Sequence, residues 1–246
     1  MLETLWPDVD GLAVAEIGSG PAHDSLTFAE RGASVTAVDF CEKGLDAARH
    51  IYAAKGFDLR CVHADARDLP LDDDQYDITF NAGVLEHFTD GQLQHVIDEM
   101  IRITKPGGHV LAFCPNRHNV FYQKHLRRQA DHRYEFERAF TADELRRRLT
   151  ARGLPNVQLS GVHVHPAFNY LLPRWLPKHH RIEPGMRRAF GWFERMDGLH
   201  RLKSIVGQDF VAWAQVPRTF SERQSLAGMR GGQASVDARQ ARSAAA

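Results

Sequence analysis

Short apolar runs alternate with stretches of helical period along most of this chain. The runs Leu12–Ile17, Ser34–Val38, Leu59–Ala64, Tyr76–Ala82 and His109–Cys114 are rich in Val, Ile, Leu and Ala and show little polar alternation. That pattern predicts strands of a parallel sheet whose two faces are both covered by helices. Between them, residues 24–31 predict a helix stopped at Gly32. Residues 42–55 place Leu45, Ala48 and Tyr52 on one face and end at Gly56. The clearest helix spans 90–104, where Leu93, Val96, Ile97, Met100 and Ile101 follow i, i+3, i+4, i+7, i+8, with Asp90 placed to cap it. Lys105-Pro-Gly-Gly108 then turns the chain into the fifth strand. Strand and helix alternating in this way predict an α/β fold.

Beyond Pro115 the pattern changes. Residues 117–138 are rich in His, Arg, Tyr and Phe and have no clean period. Thr141-Ala-Asp-Glu144 is a capping box, opening a helix with Leu145 and Leu149 on one face and Gly153 at its end. Residues 156–164 predict a sixth strand, and Phe210-Val-Ala-Trp-Ala214 a last one. The organisation expected is one domain over 1–217 with insertions at about 115–138 and 167–204, the second helical over 186–202. A disordered tail, 218–246, follows, being Arg, Gln, Ser, Gly and Ala without apolar anchors.

A chain of 246 residues can bury one substantial core. Its 31 basic and 31 acidic residues cancel, which removes any global field for nucleic acid or an anionic membrane. Neither a leader pattern nor an apolar run of spanning length is present, so a cytoplasmic protein is expected. The three cysteines, Cys41, Cys61 and Cys114, form no Cys-x-x-Cys and fall in or beside apolar runs, as reduced core thiols would.

The candidate chemistry begins at Glu16-Ile-Gly18-Ser19-Gly20-Pro-Ala22. A strand breaks into a glycine-rich turn, a helix follows, and the next strand closes on Asp39. Gly18 and Gly20 would let backbone N–H groups approach a ligand, and a right-handed crossover brings Asp39 beside the turn to accept from ribose hydroxyls. A dinucleotide fingerprint needs Gly-x-Gly-x-x-Gly, and its last position here is His23.

This motif resembles motif I of the class I S-adenosylmethionine (SAM)-dependent methyltransferases. Further resemblance to the ubiquinone-biosynthesis type and related small-molecule methyltransferases lies in Val38-Asp39, Asp65-Ala-Arg-Asp-Leu-Pro70, Tyr76-Asp77, Asn81-Ala-Gly-Val-Leu-Glu86-His87 and Lys105-Pro-Gly-Gly108. The resemblance implies a Rossmann-like seven-stranded sheet in the order 3-2-1-4-5-7-6, the last strand antiparallel. It implies that Glu16, Gly18, Ser19 and Gly20 floor the methionine and ribose part of SAM. Asp39 would bind the ribose, Phe40 the adenine face, and Asp65 with Ala66 the adenine edge. Asn81, Ala82 and Gly83 would lie beneath the sulfonium.

Each residue also has a plainer role. Asp39 can cap the next helix, Asp65 can close a turn through Asp68, Phe40 can be core, and Glu16 can brace the turn. His87 is the candidate general base, or else packs under the cofactor or caps the following helix. His118, Tyr122 and Tyr134 are candidates for a substrate lid, the plainer alternative being a surface helix. His163 and His165 share one strand face but lack a third placed ligand, so no metal is expected. The function expected is methyl transfer from SAM to a small-molecule acceptor, oxygen favoured, by in-line displacement. The alternatives are an RNA methyltransferase using the basic and aromatic insertions, or a SAM-binding interaction module without turnover.

Overall fold

The computed structural model describes residue 6 and residues 8–119, 138–162 and 209–218. Seven strands form one sheet: β1 (Ala13–Ile17), β2 (Ser34–Asp39), β3 (Arg60–His63), β4 (Tyr76–Ala82), β5 (Thr104–Pro115), β6 (Gln158–Val162) and β7 (Asp209–Gln215). Their order is β3-β2-β1-β4-β5-β7-β6, as the resemblance implies. β1 to β5 run parallel, and β7 is antiparallel to both β5 and β6. The helices are α1 (His23–Ala29), α2 (Glu42–Lys55), α3 (Asp90–Ile103) and α4 (Ala142–Ala151), and a 3-10 turn spans Leu85–His87.

Each face of the sheet has its own core. Leu26, Phe28, Leu45, Ala48 and Tyr52 from α1 and α2 pack on Val14, Ile78 and Phe80, with the Phe28 and Phe80 rings 5.5 Å apart. On the other face the apolar stripe of α3 meets Ala15, Ile17, Tyr76, Val110 and Ala112, and α4 adds Leu145 and Leu149. Neighbouring strand residues such as Val14 and Ala15 thus serve opposite cores, which is why the strands read as unbroken apolar runs.

Several boundaries differ from the sequence reading. Thr89, not Asp90, precedes the first turn of α3, and its N–H donates to the Gln92 side chain at 3.1 Å. Asp90 is instead the first helical residue and pairs with Arg138 and Arg148. β5 begins at Thr104, because Thr104 already pairs with Tyr76 before the register shifts to Ile78 and His109. The Lys105–Gly108 segment is therefore a bulge inside a strand. A Cβ on Gly108 would stand 2.8 Å from the Asp77 carbonyl oxygen, so only glycine closes it. Cys114 is buried and Cys61 half-buried, but Cys41 is exposed and is no core thiol. It follows β2 on the outer rim, where the apolar run has ended. The 186–202 helix and residues 219–246 of the expected tail lie outside the described residues, as do His163 and His165. Among the described residues no helix is long and apolar enough to cross a membrane.

Candidate functional site

The strand order reverses between β1 and β4, and the carboxyl ends of β1, β2 and β4 open a crevice there. The glycine turn lines it. The turn's donors, however, are turned inward. Gly18 N–H and Ser19 N–H both donate to the Val38 carbonyl, at 2.7 and 3.0 Å. Gly20 N–H donates to Asp39 Oδ2 at 2.7 Å, while Cys41 N–H donates to Oδ1 of the same carboxylate, also at 2.7 Å. Asp39 is therefore buried against the bend, and the sequence reading in which these amides face a ligand is corrected: β2 takes them.

A second carboxyl completes the floor. Glu16 is only 2% exposed, and its Oε2 accepts from Ser25 N–H at 3.1 Å in the first turn of α1. Burial pushes its pKa up to about 8. Tyr52 Oη then donates to Ser25 Oγ at 3.0 Å, bracing α1 from α2. The place where a dinucleotide's pyrophosphate would meet free amides is thus filled by acid groups of the chain itself. Such a floor suits a ligand rich in hydroxyls.

Shape separates the glycines. A Cβ on Gly18 (φ +69°) would stand 2.5 Å from Val84 Cγ2, so this glycine lets the loop after β4 close on the turn. Gly20 (φ +48°) has nothing within 4 Å of where its Cβ would be, and leaves open space over the crevice. Gly44 in α2, which sequence reasoning missed, brings that helix onto the bend: its Cβ would lie 3.2 Å from Gly20 Cα. Ala22 supplies the left-handed residue before α1, at φ +55°, where a glycine would be unstrained.

Phe40 follows Asp39 and is 77% exposed, the one large hydrophobic side chain so exposed among the described residues. The expectation that it could be core is set aside. Its carbonyl lies 2.8 Å from His63 Nε2, a neighbour from β3 that no sequence signal marked. Asp65 closes its own turn, its carbonyl accepting from Asp68 N–H at 3.1 Å. Its carboxylate takes Arg67 side-on, at 2.9 Å from Nε and 2.5 Å from Nη2, and this holds it below the usual range. Ala66 is half-buried against the α3-side core.

At the end of β4 the predicted residues diverge. Gly83 (φ +71°) and Ala82 reach the rim. Asn81 is fully buried on the α3 side, its amide nitrogen 3.1 Å from Met100 Sδ. Its side chain is thereby directed into the core. His87 sits half-buried in the 3-10 turn, its N–H donating to the Val84 carbonyl at 3.1 Å. His118 is exposed just past β5, with its N–H on Asn116 Oδ1 at 3.0 Å. Tyr122 and Tyr134, the other lid candidates, lie outside the described residues. Glu16, Gly18, Ser19, Gly20, Asp39 and Phe40 are thus brought together, with Gly83 nearby through Val84.

Residues 14–108 match a family model described as a methyltransferase domain. A demethylmenaquinone methyltransferase of Clavibacter sepedonicus is 36% identical over 104 residues, covering 42% of this chain and 41% of its own. A ubiquinone biosynthesis O-methyltransferase of Rhizobium leguminosarum is 27% identical over 168 residues, covering 65% of this chain and 66% of its own. The chain therefore spans less than two thirds of the length of these curated relatives. Among solved structures, a SAM-dependent methyltransferase of Archaeoglobus fulgidus superposes with a TM-score of 0.58 at 16% identity, over 87% of this chain and 90% of that one. At that identity the likeness concerns the fold alone.

Proposed function

We propose that this chain, whose residues 14–108 match a methyltransferase-domain model, is a class I SAM-dependent methyltransferase that methylates a small-molecule acceptor, oxygen favoured, by in-line displacement. The observation that carries the cofactor reading is the Asp39 carboxylate, held 2.7 Å from Gly20 N–H below open space, with Phe40 exposed beside it. The residues present fit the group. Asp39 keeps lone pairs for two ribose hydroxyls, because each oxygen so far accepts one N–H. Phe40 offers an aromatic face to adenine. Ala66, and Asp65 where it is not held by Arg67, edge the same side. Glu16, Gly18, Ser19 and Gly20 would floor the methionine and ribose part, with Ala82 and Gly83 opposite.

SAM, when bound, supplies a methyl group on a cationic sulfonium whose departure leaves a neutral thioether. The residues therefore have little charge to neutralise on the leaving side, and their main work is alignment. A base is required only where the acceptor must lose a proton. His87, half-buried at the rim after β4, is the candidate for that role.

Calorimetry with SAM tests the site. Asp39→Asn keeps one acceptor oxygen but sets an NH2 against one of the two amides, so it should weaken SAM binding at least tenfold and lower the melting temperature; unaltered affinity overturns the assignment. Incubation of the wild-type protein with isotopically labelled SAM and cell extract, read by mass spectrometry, should yield a labelled small molecule. Tight binding without product from any fraction would instead favour the non-catalytic module.

A further inference from the structure

Arg138 lies beside the 3-10 turn that follows β4, and the proposed function gives it no role. Its N–H donates to the Glu86 carbonyl at 3.1 Å, in the 3-10 turn that follows β4. Phe140, two residues on, exchanges hydrogen bonds with Pro115 and Arg117 where β5 ends. Arg138 therefore stands over the carboxyl ends of β4 and β5, the side from which an acceptor must face the methyl group. Its guanidinium is stacked on the Phe140 ring, Cζ 4.6 Å from the centroid. Nη1 is anchored on Asp90 at 2.5 Å.

The opposite edge of the group is different. Nε and Nη2 are both shielded from solvent and neither has a hydrogen-bond partner among the described residues. These two nitrogens form the side-on fork with which arginine grips two oxygens of one oxyanion. Leaving a buried, charged donor unpaired costs more than a typical hydrogen bond contributes, so these two nitrogens call for a partner. Of the nearby acids, Asp90 and Glu144 do not supply one, and the buried Glu86 is tested below. Asp90 is 66% exposed and shared between Arg138 and Arg148, and Glu144 is engaged by Arg148 at 3.0 Å. The ring beneath and the Asp90 anchor meanwhile fix the plane of the fork, and at 17% exposure the side chain has little freedom to swing away.

We propose that Arg138 binds the acceptor, through its Nε–Nη2 edge, by a carboxylate or phosphate group that the acceptor carries. This deepens the methyltransferase reading and rests on it for the identity of the partner, but the oxyanion site itself is tested without turnover. Because the edge is shielded, an oxyanion reaches it by displacing the groups that cover it and by losing water, a cost that only a paired charge offsets and that makes the contact selective for charge.

The test follows the side-chain Nε resonance of Arg138 by NMR in the full chain, first alone and then with S-adenosylhomocysteine. Benzoate and phenyl phosphate are the two oxyanion probes, benzamide the neutral control. Saturable displacement of the Arg138 signal by one or both probes, and not by benzamide, is expected; the stronger probe identifies the group. Arg138→Gln should weaken that probe at least tenfold, with Arg138→Lys in between, while S-adenosylhomocysteine affinity stays within twofold. No displacement by either probe, or an equal one by benzamide, overturns the proposal. So does Glu86→Gln if it moves the Arg138 signal as far as the probes do, since Glu86 would then be the internal counter-ion. Failure of S-adenosylhomocysteine to bind, with probe displacement intact, would count against the methyltransferase reading alone.

Discussion

Two residues of the crevice floor carry the most information per atom. Glu16 is buried, and its pKa of about 8 lies above the ordinary 4.5. The folded protein therefore holds a proton that the unfolded chain releases between about pH 4.5 and pH 8. Stability linked to this group is complete below that window and falls as pH rises through it. Glu16→Gln keeps an oxygen for Ser25 N–H and removes the titration. Denaturant melts should show the variant gaining on wild type from pH 5 to pH 8; parallel curves would show that Glu16 is ionised in the fold. Gly18 acts through space. Gly18→Ala sets a Cβ against Val84 at positive φ and should destabilise by about 1–3 kcal/mol. Adding Val84→Ala should recover the part due to the clash and none of the part due to φ, a split that a double-mutant cycle reads.

At the scale of elements, two side chains of α3, Arg102 and Glu99, tie down the segment after β3. Arg102 of α3 donates to the Leu69 and Leu71 carbonyls at 2.9 and 2.7 Å and pairs with Glu99 and Asp73. Glu99 in turn accepts from Leu69 N–H at 2.7 Å. Arg102→Ala should therefore cost about 2 kcal/mol and loosen the Asp65–Leu71 segment. Hydrogen exchange there should rise well before exchange in β4, and unchanged protection would show that the loop holds itself. Elements were also the level at which sequence spoke most clearly. The stripe of α3 and the apolar β4 were legible because their periodicity is local. Thr89 was hidden behind the acidic Asp90, since both residue types cap helices. The Lys105–Gly108 bulge looks like a turn in sequence, because Pro and Gly punctuate alike whether a strand starts or merely bends. Gly44 and His63 could not be found at all. Their roles depend on packing between α2 and the bend and between β3 and Phe40, contacts that no local pattern encodes.

For the whole molecule, the two cores sit on opposite faces of one sheet, and the crevice lies between their upper margins. A ligand in that crevice touches β1, β2 and β4 together, so its binding should stabilise the sheet as a unit rather than one face. SAM at a hundred times its dissociation constant should add about 2.7 kcal/mol, or about 5–10 °C in melting temperature for a domain of this size. A single shifted transition is expected by both calorimetry and fluorescence. Two transitions, only one of them moved, would mean that the faces melt separately.

The inward amides of residues 18–20 also constrain how this scaffold can diversify. Putting glycine at position 23 would restore the letters of a pyrophosphate clamp without its function, because the peptide dipoles would still point at β2. Conversion to another nucleotide would have to begin in that neighbouring strand, by removing the carboxylate that captures the bend. The identity of the ligand is in this sense written one strand away from the loop that touches it.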